Sequence, residues 1–380
     1  MQFEGIPFNR SSLQGRELEY ISRTIAIGQI AGDQTFSKRC QGLLEQTLGV
    51  QKALVTTSCT HALEMCALLL EIGPEDEVIV PSFTFVSTAN AFALRGARIV
   101  FCDIRPDTLN LDERLLEKLI TPRTKAIVPV HYAGVGCELE PILLLAQRYG
   151  IAVVEDNAHG LFGKYQGKWL GTFGHLATLS FHETKNITCG EGGALLINDP
   201  RFLEKAEIIR EKGTDRSRFF RGEVDKYSWV SVGSSYVMSD VLAAFLFAQL
   251  EVWPGIQARR KQLWQYYHQH LADWAVAQGV KQPWIPAHCE QAYHMYYLLM
   301  PTLRQRQELI AHLRERGILA VFHYVPLHLS KMGRTYGGRE GDFPVTEDLS
   351  NRLVRLPFYN SLSETEQATV VQAVCQYKTM

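Results

Sequence analysis

The sequence predicts an α/β fold: a large region with a mostly parallel central sheet, then a smaller α+β region. Two observations carry this. From residue 53 onward, short apolar runs alternate with segments of helical periodicity, the rhythm of strands joined by crossover helices. After about residue 250 that rhythm gives way to long helices and isolated apolar runs. Residues 1–250 and 251–380 are therefore expected as a large and a small domain. The first thirty or so residues read as irregular, with Gly28, Gly32 and Asp33 marking a loop.

Ala53–Thr57 reads as a strand running into a helix over 59–72, where Ala62, Met65, Cys66, Leu69 and Leu70 share an apolar face. Glu77–Pro81, Ala97–Asp103, Lys125–Val130, Ile151–Glu155, Leu176–His182 and Ala194–Asn198 read as further strands. Helices are expected around Ala89–Leu94, over Glu113–Ile120 with Asp112 as cap, and over Leu139–Tyr149, ended by Gly150. In the second region, Ser239–Trp253 is a strongly apolar helix interrupted by Pro254-Gly255. Gln257–Ala275 is an amphipathic helix rich in aromatics. Tyr293–Met300 and Ile318–Tyr324 read as strands, and Arg304–Arg316 as a helix closed by Gly317. Ser363 and Glu366 make a capping-box pattern for a last helix up to about Tyr377.

The chain has 380 residues, a net charge of −1 and 46% hydrophobic residues, which allows a sizeable core. Near-neutral charge gives no electrostatic reason to expect nucleic acid or an anionic membrane as partner. The opening Met1-Gln-Phe-Glu-Gly-Ile-Pro has no basic stretch followed by an apolar one, and runs such as Val241–Ala248 are too short to span a bilayer. The eight cysteines lack CxxC spacing, so free thiols and a cytoplasmic location are expected. No metal site is expected, although there are twelve histidines.

Chemistry concentrates at the ends of the expected strands. Lys185 follows Leu176–His182 and precedes the glycine-rich turn Gly190-Glu-Gly-Gly193. A lysine attacks an aldehyde only as free amine, so burial there would suit it to hold pyridoxal phosphate as a Schiff base; a solvated loop lysine is the plainer alternative. Thr57-Ser58-Cys59-Thr60 lies at a strand-to-helix junction, where unpaired N–H groups and hydroxyls suit a phosphate or form an ordinary N-cap. Asp156 ends an apolar strand and could keep a pyridine nitrogen protonated, or simply cap the next turn; His159 lies three residues on. In Phe83-Thr-Phe85 an aromatic could stack on the ring or belong to the core.

The order of these pieces is similar to that of fold-type I pyridoxal phosphate enzymes. Pro81–Ala91, Glu155-Asp-Asn-Ala-His159, Ser180-Phe-His-Glu-Thr-Lys-Asn186, Gly190–Gly193 and Tyr324-Val-Pro-Leu-His328 resemble the DegT/DnrJ/EryC1/StrS family of nucleotide-sugar aminotransferases, over nearly the whole chain. The resemblance implies Lys185 as the Schiff-base lysine, Asp156 as pyridinium partner, Phe85 stacked on the ring and His159 beside it. It also implies Cys59, Thr60 and Ser180, with Ser58, at the phosphate. The family often has Asn in the segment corresponding to Ser234-Ser235-Tyr236, reaching the phosphate of the neighbouring subunit in a homodimer with shared sites. Ser235 is shorter, so Ser234 and the backbone are expected to share that contact. A dehydratase branch has His in place of the lysine; Lys185 argues against it.

The activity implied is transfer of the amino group of L-glutamate to C4 of dTDP-4-keto-6-deoxyglucose. Ser180–Asn186, Gly213–Gly222, Val224–Tyr227 and Gly233–Tyr236 carry this closer likeness. Substrate contacts are expected from His182, Asn186, His323, Tyr324 and His328. Arg210, Lys212, Arg216, Arg218 and Arg221 could meet a diphosphate, or form a solvated charged loop. Rival readings are a C3 aminotransferase, a sugar dehydratase, a cofactor-binding regulator, and a zinc enzyme using His131, His159 and His182.

Overall fold

Apolar runs of four or five residues become the strands of one seven-stranded sheet in the computed structural model, which describes residues 4–378. Met1, Gln2 and Phe3 of the stretch read for a leader lie outside the described residues. The strands are β1 (Lys52–Thr56), β2 (Glu77–Pro81), β3 (Arg98–Cys102), β4 (Thr124–Ile127), β5 (Ala152–Asp156), β6 (Leu176–Ser180) and β7 (Gly193–Ile197). Their spatial order is β1-β7-β6-β5-β4-β2-β3. All neighbours pair in parallel except β7, which runs antiparallel between β1 and β6. Strands β2 and β7 are buried along their whole length, as expected of a parallel sheet covered on both faces. This is the mostly parallel central sheet expected from the sequence.

One glycine sets the spacing where β7 begins. A Cβ added to Gly193 would lie 2.3 Å from the carbonyl carbon of Ser58 and 2.4 Å from the nitrogen of Cys59. The start of β7 therefore touches, backbone to backbone, the turn that opens the helix Cys59–Leu69.

Several expected elements differ. The N-terminal region is not irregular: it holds helices Glu17–Ala26 and Thr35–Leu48. The second has no local cap, because Gln34 makes no side-chain bond there. Its free N–H groups are met instead by Asp240, whose carboxylate accepts from the N–H groups of Phe36 (2.9 Å) and Ser37 (2.7 Å). Both helices pack on the apolar helix Asp240–Glu251, so that helix is covered within its own chain. The interruption expected near Pro254-Gly255 is present: the helix ends at Glu251 and the chain bends by 66° into the next helix, which begins just before Pro254. Pro254 sits in the first turn of this helix, Trp253–His270, where no N–H is required.

The strand expected over Tyr293–Met300 shrinks to Tyr297–Leu299, since Tyr293 adopts φ +51°, outside extended conformation. Ile318–Tyr324 is not a strand; it makes single bridges, Ile318 to Ile6 and Val321 to Arg355, because its partner changes along the run. The Asp112 cap and the Ser363–Glu366 capping box are present. One cluster of buried apolar residues draws on 263–377 alone, which supports the proposed division into large and small domains near residue 250.

Behind the strand ends lies a fully buried carboxylate. Glu155 accepts from the backbone N–H groups of Gly171 (2.8 Å), Phe173 (2.7 Å) and Gly174 (2.7 Å). Nδ1 of His131 accepts from the Cys137 N–H (3.1 Å), so Nε2 carries the proton and donates to Glu155 at 2.9 Å. Glu155→Ala would leave four donors without this acceptor, three of them buried. It is expected to lower stability by about 3–5 kcal/mol, read from denaturant unfolding; a loss under about 1 kcal/mol would show that the network does not hold this end of the sheet.

Candidate active site

The parallel strands deliver their last residues to one edge of the sheet, where α/β proteins place ligand groups. A cavity of about 540 Å³ opens there, lined by Ser58, Cys59, Thr60, Phe85, Asp156, His159, Ser180, His182, Lys185, His323 and Tyr324 among others. Eleven of the residues singled out from sequence thus share one space. A second cavity of about 560 Å³, bounded by Leu143, Ala146, Arg201 and Phe202, contains none of them.

Two groups face each other chemically. Burial pushes the Lys185 ammonium down to about 8, against the opposing pull of Cys59 and Asp156. Burial also raises the Asp156 carboxyl, partly offset by its hydrogen bonds. The Thr88 hydroxyl donates to Asp156 Oδ2 (2.7 Å), accepting in turn from Thr84 (2.7 Å), and the Ala158 N–H donates to Oδ1 (3.2 Å). Asp156 is thus oriented by its own chain and retains acceptor capacity toward the cavity.

The phosphate candidates stand around the start of the helix Cys59–Leu69. Ser58 is its N-cap, its Oγ accepting from the His61 N–H at 3.1 Å. The Thr60 hydroxyl meets Ser87 at 2.7 Å. Burial, then Asp156, pushes the Cys59 thiol up to about 12, so it is a neutral neighbour. Phe85 is 57% exposed, with its ring 6.3 Å from that of Tyr324. An aromatic face left open beside a cavity is suited to a planar ring.

His159 is buried with no partner for Nδ1 among the described residues. It stacks on His294 at 4.2 Å, and His323 lies 6.1 Å away, nearly parallel. Burial, assisted by nearby cations, holds all three rings well below the ordinary histidine range. They are neutral near pH 7.

Other expected substrate residues lie elsewhere. Asn186 does not line this cavity. Its amide donates to Ala292 O (2.5 Å) and Gln257 (3.1 Å), and its oxygen accepts from His294 Nδ1 (2.9 Å), which fixes the His294 ring. Arg210 is buried away from it, bonded to both oxygens of Asp33 (2.8 and 2.6 Å) and to the Val55 carbonyl (2.9 Å). Lys212 lies beside Glu211, and Arg218 and Arg221 pair with Glu204, Glu207 and Glu223, so this cluster is a self-neutralising surface. His328 is fully buried between Ser82 (2.6 Å) and Glu347 (3.1 Å). Ser235 bridges to Glu211 and does not reach the cavity of its own chain. Among the described residues no group of three or more His, Cys, Asp or Glu side chains is arranged to hold a metal; His131 in particular is spent on Glu155.

Lining residues that escaped the sequence reading include Phe8, Thr88, His294 and Arg355. For Arg355 a signal existed, a charge inside the apolar run Leu353-Val-Arg-Leu356.

The lysine, the strand-end carboxylate, the helix N-terminus, the open aromatic face and the orphaned histidine nitrogen together fit pyridoxal phosphate. Known proteins agree. A sequence model described as the DegT/DnrJ/EryC1/StrS aminotransferase family matches residues 12–375. The spore coat polysaccharide biosynthesis protein SpsC of Bacillus subtilis is 32% identical, with 97% of this chain and 96% of SpsC covered. Among solved structures, the aminotransferase TlmJ from Streptoalloteichus hindustanus superposes with a TM-score of 0.88, 31% identity and 97% of each chain covered. The PLP form of Spr1654 from Streptococcus pneumoniae gives 0.89, 26% identity and 97% of each.

Proposed function

Since the chain belongs to the DegT/DnrJ/EryC1/StrS aminotransferase family, whose members depend on pyridoxal phosphate, we propose that it moves the amino group of L-glutamate to C4 of dTDP-4-keto-6-deoxyglucose, giving dTDP-4-amino-4,6-dideoxygalactose. The observation that carries aminotransfer is the half-buried Lys185, its amine held near 8 by loss of solvent, lining the same cavity as Asp156. The choice of sugar rests on the likeness to dTDP-4-amino-4,6-dideoxygalactose transaminase of enterobacterial common antigen synthesis. That likeness lies in Ser180–Asn186, Gly213–Gly222 and Gly233–Tyr236.

When bound, pyridoxal phosphate supplies an electron sink for the carbon that loses or gains a proton. Lys185 would hold it covalently and carry that proton on Nζ, as base in one half of the reaction and acid in the other. Asp156 would face the ring nitrogen and His159 the ring edge. Phe85 would cover one ring face. Ser58, Cys59, Thr60 and Ser180 would surround the phosphate, aided by the positive end of the helix Cys59–Leu69. His182, His323 and Tyr324 would border the sugar.

We further propose a cytoplasmic homodimer. No single helix among the described residues is long and apolar enough to cross a membrane. Tyr227, Trp229, Val230 and Val232 are exposed, just before Ser235, which would approach the partner's phosphate. Sedimentation over a range of concentrations is expected to give a dimer; a fully active monomer would remove that part.

The substrate test is the product itself. Purified enzyme, glutamate and a panel of nucleotide keto sugars are expected to give the C4 galacto amine from the dTDP sugar, by mass spectrometry and NMR. A C3 amine, a deoxygenated product, or a clear preference for a UDP sugar would overturn the assignment.

A further inference from the structure

A cavity of about 490 Å³ lies between the paired short strands Lys164–Tyr165 and Lys168–Trp169 and the helix Trp253–His270. It shares no lining residue with the Lys185 cavity. Three of the chain's six tryptophans line it: Trp169, Trp253 and Trp264. Each is held from one side. Phe162 stacks on Trp253 (4.1 Å), Lys164 Nζ lies over Trp169 (4.6 Å), and His268 stacks on Trp264 (4.5 Å). Trp169 stands at 90° to Trp253, so two aromatic planes meet as a corner.

Gln291 is the second observation. It lines the same cavity and is only 6% exposed. Neither end of its amide has a hydrogen-bond partner among the described residues, yet neither is sealed from solvent. The backbone on both sides is fixed, since Glu290 pairs with Lys164 and the Ala292 N–H donates to the Gly134 carbonyl at 2.9 Å. The side chain therefore stays where it is. A ligand that displaces water from this amide has to offer it both a donor and an acceptor, or the group is left unmet at a cost.

These features select a chemistry. A nucleobase needs a slot between parallel rings, and here the rings meet at a right angle. An alkyl chain would leave Gln291 unmet. An anion would find Lys164 already paired with Glu290 (3.3 Å), and the other cation, Lys261, exposed. A pyranose answers each point. Its C–H groups rest on the electron-rich faces of aromatic rings, and its hydroxyls both donate and accept, as an amide requires. We propose that this cavity is a second saccharide site, seating a pyranose either as free sugar or as the glycosyl part of a sugar nucleotide. The inference does not depend on the aminotransfer reading.

Crystals of the holoenzyme would be soaked separately with D-glucose, maltose and dTDP-glucose. In solution, tryptophan fluorescence of wild-type and Gln291→Leu holoenzymes, checked for native fold by circular dichroism, would be followed as D-glucose or maltose is added. A pyranose ring is expected in this cavity, against the corner of Trp169 and Trp253 and within hydrogen-bond reach of Gln291. Gln291→Leu should raise the half-saturating sugar concentration about tenfold. Its rate with L-glutamate alone should stay within about twofold of wild type, because Gln291 does not border the Lys185 cavity. A ring seen only with dTDP-glucose would assign the site to a sugar nucleotide, and one seen only with the free sugars to a free saccharide; both bear the proposal out. Absence of all three from this cavity, or equal sugar binding by the folded Gln291→Leu enzyme, overturns it. If the variant does not fold, the soaked wild-type crystals decide.

Discussion

Lys185→Ala is expected to lower turnover by about four orders of magnitude or more, while leaving the fold in place. Covalent anchoring and proton transfer fall on one Nζ, and effects of groups that serve several steps are not made up by neighbours. Borohydride should fix the cofactor onto the peptide containing Lys185 in the parent enzyme and onto no peptide in the variant. The pH dependence comes from the amine held near 8 rather than its ordinary 10.5. Only the neutral amine reacts with an aldehyde, so roughly a tenth of Lys185 is competent at pH 7. Recombination of apoenzyme with pyridoxal phosphate should rise about tenfold per pH unit below 7 and level off above about 8. A rate still climbing steeply at pH 10 would return Lys185 to solvent, and labelling of another lysine would remove it from the chemistry.

Asp156→Asn is expected to cost about two to three orders of magnitude in rate with far less effect on cofactor affinity. The amide has the carboxylate's shape, and its oxygen can still accept from Thr88. It carries no charge to keep a ring nitrogen protonated, so the loss appears where negative charge develops in the transition state. Stopped-flow rates of the glutamate half-reaction, beside cofactor titrations, separate the two quantities. Near-normal rates would take Asp156 out of the mechanism.

The sequence made the parallel sheet legible because its strands are short, apolar and evenly interleaved with helices. Site residues at strand ends, Asp156 and Lys185, were legible for the same reason. The N-terminal helices were not, because their support is distant: Asp240 caps Thr35–Leu48 across more than two hundred residues. Arg210 and His328 were candidates for substrate contact in sequence, yet each is held by a partner from a remote segment, Asp33 and Glu347. Tyr293 broke an expected strand through its own backbone angle, which apolar periodicity cannot foretell. Arg355 was hidden by a strand too short to announce that one face looks into a cavity.

The contact of Gly193 with Ser58 and Cys59 has a mechanical consequence. No layer of side chains separates the two backbones there, so neither can slide without collision. The Lys185 loop is tied between β6 and β7 in the same place, and its own N–H returns to the His182 carbonyl. The floor of the cavity is accordingly one stiff piece, and amide hydrogens along it should exchange late. Any breathing that admits a ligand falls to the opposite wall, where His294, His323, Tyr324 and Arg355 project from the C-terminal part of the chain.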